Sequence, residues 1–99
     1  MQDSPTSDFK QELCKKMASN LSTLREKAKI TQDELAERLG LSRQNISAIE
    51  NGKHGMTWST FSILVLYFVK NDEIKTLMIA MGIVNDDVEG ILNINKREN

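Results

Sequence analysis

Two short amphipathic segments separated by three residues constrain this chain more than any other feature. Thr31 can cap a helix, and Glu34 three residues on can reach back, a T-x-x-E capping box. Leu35, Ala36 and Leu39 give that helix, about residues 32–39, one apolar stripe. Gly40 sits where a left-handed residue ends a helix, and Ser42 at once caps another. Ile46 and Ile49 form the inner stripe of this second helix, about 43–50, and Asn51-Gly52 ends it. The turn Gly40-Leu41-Ser42 forces a sharp corner between the two helices.

The flanks also read as helices. Residues 1–7 are polar, hold the one proline, Pro5, and read as a flexible N-terminal arm. Asp8 reads as an N-cap, and Phe9, Leu13, Met17, Leu21, Leu24 and Ala28 recur at helical spacing over about 9–28. Ser19-Asn20, with lower helix propensity, is a candidate break. Thr57 can cap a helix over about 58–69. Its Phe61–Val69 run would also suit a strand, but no partner strand is evident. A helix so apolar is expected to be buried on nearly all sides. Asn71 or Asp72 opens a fifth helix through Ile74, Leu77, Met78 and Met81, stopped by Gly82. Val88, Ile91, Leu92 and Ile94, interrupted by Gly90, suit either a short sixth helix or an extended tail. The expected organisation is an arm (1–7), a helical domain (8–83) and a tail or short helix (84–99) serving dimerisation.

Composition excludes several classes. The longest apolar run near Ile63–Val69 is far shorter than the ~20 residues of a membrane span. The start Met1-Gln2-Asp3-Ser4-Pro5 lacks the basic and apolar regions of a signal peptide, so a cytoplasmic protein is expected. One cysteine, Cys14, and one histidine, His54, build neither an internal disulfide nor a metal cluster. The glycines 40, 52, 55, 82 and 90 are scattered, with no phosphate loop. Asp33, Glu34 and Glu37 read as carboxylates favouring a helix N-terminus. No enzyme, metal or cofactor is expected. The net charge of −1 argues at face value against nucleic acid.

Residues 31–53, TQDELAERLGLSRQNISAIENGK, change that reading. With the helices on either side, they resemble the lambda-repressor-like (Cro and phage-repressor, XRE-type) helix-turn-helix family. The resemblance is tight over about half the chain. It implies an all-α domain of five to six helices whose second motif helix enters the DNA major groove. Independently, Arg43, Gln44, Asn45 and Ser47 are left outward on that helix, and Arg, Gln and Asn can bond base edges. Ala48 matches a family position near the bases. Gln32 starts the first motif helix, where the family binds a phosphate, as helix N-termini can. Thr31, Ser42, Asn51, Lys53 and His54 complete the expected backbone contacts. In the family, an arginine placed like Arg25 pairs with the glutamate ending the recognition helix, here Glu50.

Two departures stand out. Met56 replaces a frequent proline, which suggests a looser entry to the fourth helix. Ile63, Leu66 and Tyr67 are apolar where relatives are usually polar. That surplus surface requires cover from the fifth helix or from a second copy. Trp58 reads as a packing or interface anchor and Cys14 as a small hydrophobe.

The expected function is therefore a sequence-specific transcriptional regulator. It is a repressor in this reading, binding double-stranded DNA as a homodimer on a two-fold symmetric operator. The alternative is an antitoxin-like module whose C-terminal helices hold a protein partner. The charge is unevenly spread in the direction this requires. Residues 8–53 hold nine Lys/Arg and seven Asp/Glu, against four and six over 54–99.

Overall fold

The computed structural model describes residues 8–93; the proposed arm (1–7) and Ile94 lie outside them. The described residues form six helices and no strand: α1 Asp8–Lys27, α2 Gln32–Leu39, α3 Arg43–Glu50, α4 Trp58–Phe68, α5 Asp72–Ala80 and α6 Asp86–Leu92.

α1 runs unbroken through Ser19-Asn20. Asn20 donates its side-chain amide to the Lys16 carbonyl at 2.8 Å, so its polar group is satisfied along the helix. Met17, Leu21 and Leu24 meanwhile bury fully, and that packing outweighs a weak local propensity. Asp8 lies inside the first turn, where its charge faces the positive end of the helix. Phe9 is exposed, so the buried stripe of α1 begins at Leu13.

The corner forms by the expected chemistry. Thr31 Oγ1 accepts from the Glu34 N–H at 3.0 Å, and the Thr31 N–H donates to Glu34 Oε1 at 2.9 Å. Gly40 takes φ +72°, and the Leu41 N–H closes the helix end on the Ala36 carbonyl at 2.9 Å. A Cβ on Gly40 would meet nothing within 4 Å, so backbone conformation rather than space demands glycine here. Ser42 Oγ accepts from the Asn45 N–H at 3.0 Å and starts α3. Leu35, Ile46 and Ile49 meet in the core, with Leu39 and Leu41 packed at its edge.

α4 is a helix, capped by Thr57 Oγ1 accepting from Thr60 N–H at 3.1 Å. It is not buried all round. Phe61, Leu64, Val65 and Phe68 point inward, whereas Ile63 and Leu66 remain 38% and 43% exposed. One side of α4 joins the core cluster, and Ile63 and Leu66 on another side stay exposed among the described residues. Trp58 stacks on Phe61 with ring centroids 4.7 Å apart, and the Lys10 ammonium lies 4.9 Å from its ring centroid. Met56, two residues before α4, is buried in the core.

Asn71 is the cap of α5, its Oδ1 accepting from the Ile74 N–H at 3.1 Å. After Gly82, Ile83 and Val84 enter the core, Asn85 caps α6, and Val88 buries beside them. A Lys75–Glu89 ion pair of 3.8 Å ties α6 to α5. Three buried residues thus make a helix of a segment whose periodicity alone left two options open.

Candidate nucleic-acid interface

The start and end of α3 are fixed by different means. Its start is the Ser42 cap. Its end is held by a carboxylate: Arg25 Nε lies 2.8 Å from Glu50 Oε2, and Arg25 Nη2 lies 3.1 Å from Glu50 Oε1. The two side chains are only 15% and 7% exposed. Arg25 Nη1 also donates to the Ile30 carbonyl at 3.2 Å. Gln32 Nε2 donates to Glu50 Oε1 at 2.9 Å. One carboxylate therefore joins α1, the start of α2 and the end of α3. The hydrogen bonds to Glu50 raise the Arg25 pKa further above its already high ordinary value, so the guanidinium stays charged.

With its inner face locked, α3 presents a polar outer face. Arg43, Gln44, Ser47, Ala48, Asn51 and Lys53 line one shallow depression of about 340 Å³. Arg43, Gln44, Asn51 and Lys53 are exposed, and Ser47 and Ala48 half-buried. Asn51 Nδ2 donates to Ser47 Oγ at 3.4 Å. Such a face offers forked donors, an amide and a methyl on a convex helix, the chemistry that reads base edges. Arg43 Nε lies 3.6 Å from Asp33 Oδ1, a contact across the corner.

Of the other expected site residues, Asn45 is half-buried and is not part of this depression. Thr31 and Ser42 are exposed at the N-termini of α2 and α3, their oxygens engaged as caps. Each hydroxyl can still donate outward. Gln32 is half-buried and commits one amide proton to Glu50, leaving the other available. His54 is exposed, with Nδ1 2.9 Å from the Gly55 carbonyl. It lines a separate hollow of about 490 Å³ with Cys14, Lys15 and Met56. The sequence reading missed the Gln32–Glu50 bond and the Arg43–Asp33 contact. Only an 18-residue separation read against the pairing of Arg25 with Glu50 could have suggested the first.

Cys14 offers no nucleophile. Burial pushes its thiol up to about 11, and its sulfur lies 3.9 Å from the Thr57 carbonyl. Among the described residues no cluster of His, Cys, Asp and Glu could hold a metal, and no helix is long and apolar enough to cross a membrane.

Residues 18–78, more than half of the chain, match a family of helix-turn-helix domains. The chain belongs to that helix-turn-helix family. Over 59 residues it is 39% identical to an uncharacterized HTH-type transcriptional regulator of Methanocaldococcus jannaschii; the match covers 59% of this chain and 89% of that protein. No solved structure matches it significantly. The family match spans the helix-turn-helix corner, α4 and most of α5, and so contains every residue around the α3 depression. It stops short of the first half of α1 and of α6.

Proposed function

We propose that this helix-turn-helix protein is a sequence-specific DNA-binding transcriptional regulator of the lambda-repressor-like type, acting inside the cell as a repressor. The observation that carries the reading is the outer face of α3, with polar side chains gathered on a helix anchored at both ends. Arg43, Gln44 and Ser47 read base edges in the major groove, with Asn45 beside them. Thr31, Gln32, Ser42, Asn51 and Lys53 contact the phosphate backbone, and His54, exposed in the neighbouring hollow beside α1, reaches the backbone beyond them. The regulator named among its relatives supports the assignment. No catalysis and no cofactor enter this reading.

The protein acts as a homodimer on a two-fold symmetric operator, whose half-sites lie about 34–36 Å apart. Ile63 and Leu66 on α4, Ile79 on α5 and Ile91 on α6 support self-association, because each is a large apolar side chain left in water. The same residues favour a second reading, in which these helices hold a different protein, as an antitoxin does. Selection of bound sequences from a random duplex pool tests the main reading. A single enriched motif with two-fold symmetry is expected; a pool that stays random contradicts it. A second polypeptide in stoichiometric amount after purification from the native host would favour the partner reading.

A further inference from the structure

The contact between Asp33 and Arg43 has no clear value as a stabiliser. Both side chains are exposed, 76% and 64%, and an ion pair so wet adds little to folding. Its geometry is more informative. Asp33 is the second residue of α2 and Arg43 the first of α3, so the pair spans the corner. The carboxylate approaches Nε at 3.6 Å. The acid thus meets the guanidinium at its Nε edge, while the fork of an arginine can also offer nitrogens to O6 and N7 of a guanine. An unrestrained arginine at a helix start has many rotamers to lose on docking. One held at Nε has fewer. Docked DNA also excludes water and strengthens the attraction between the two charges. Without Arg43 between them, the same carboxylate would repel a nearby phosphate.

We propose that Asp33 is a specificity-determining residue, a positioning residue that acts through Arg43. It holds the guanidinium by Nε so that the terminal nitrogens meet one base pair and not the backbone. This rests on the assignment of Arg43 as a base reader. Selection from a random duplex pool, run in parallel on wild type, Asp33→Asn, Asp33→Glu and Arg43→Ala, tests it. Arg43→Ala is expected to erase preference at one position of each half-site. Asp33→Asn is expected to weaken preference at that same position by about threefold to tenfold and leave the others intact. Asp33→Glu, which keeps the charge, is expected to restore part of it. If Asp33→Asn instead tightens binding equally to all sequences, or changes nothing, the positioning role is wrong. If Arg43→Ala leaves every position as in wild type, Arg43 reads no base and both assignments fall.

Discussion

Arg25, in the last turn of α1, and Glu50, at the end of α3, meet through two parallel hydrogen bonds of 2.8 and 3.1 Å. Gln32 adds a third bond to the same carboxylate. The position of α3 is thus tied to α1 and α2 by one side chain. Glu50→Gln replaces the ion pair with a neutral amide and leaves the arginine poorly matched in a half-buried place. A loss of about 1–3 kcal/mol in stability is expected, with weaker DNA binding. Chemical denaturation and fluorescence anisotropy check the two effects. Unchanged stability and affinity together would show that the contact anchors nothing.

Lys53 follows α3 on the rim of its depression and carries a charge but no base-reading fork. Lys53→Ala is expected to weaken binding to all duplexes alike. It should also lower the slope of log affinity against log salt by about 1 per protomer. Anisotropy titrations at several salt concentrations give that slope. A loss confined to the preferred sequence would move Lys53 from the backbone to the bases.

The capping box of α2 is sensitive to acid. The Thr31 N–H holds the Glu34 carboxyl below its ordinary range. Folding therefore favours the charged form. The resulting stability is present above the ordinary glutamate value of 4.5 and is lost as pH falls through the depressed folded value. Glu34→Gln keeps an acceptor for the Thr31 N–H but cannot titrate. Wild type is expected to lose ground to this variant on acidification below that value, as followed by thermal melting across pH. Parallel curves for the two proteins would contradict the linkage.

Leu66 lies on the uncovered side of α4 beside Ile63. A charge there should cost the folded monomer only about 0.5–1 kcal/mol, because Leu66 is 43% exposed and only partly packed. It should cost a dimer built on this face a great deal. If the chain dimerises through this face as proposed, Leu66→Glu is expected to sediment as a monomer at concentrations where wild type does not, with a melting profile lowered only slightly at high dilution. A dimer that survives the change would place the interface elsewhere.

Much of the fold was legible because local chemistry sets it. The limits of α2 and α3 follow from Thr31, Gly40 and Ser42, whose roles depend only on near neighbours. α4 was legible as a helix from Thr57, but not in its exposure, because which side of an apolar helix is covered depends on where its neighbours end. The same reason explains α1. Ser19-Asn20 is a weak point only until Met17, Leu21 and Leu24 are buried around it. α6 was left open since Ile83 and Val84, which draw it into the core, precede the helix rather than mark its period. The outer residues of α3 were legible because nothing in the core needs them. Gln32 and Asp33 were not, since each engages a side chain brought near only by the corner. His54 is close to Lys53 in sequence, yet the turn after α3 places it in the hollow beside α1.

Comparison of specific with nonspecific binding tests the assignment of α3 most directly. Anisotropy at fixed salt would measure wild type and the double variant Arg43→Ala/Gln44→Ala on the selected duplex and on a random one. Two lost base contacts, each worth about 1–3 kcal/mol, should lower affinity for the selected duplex by at least about thirtyfold while leaving the random duplex nearly unaffected. Equal losses on both duplexes would make these side chains phosphate contacts, and no loss on either would take α3 out of the groove.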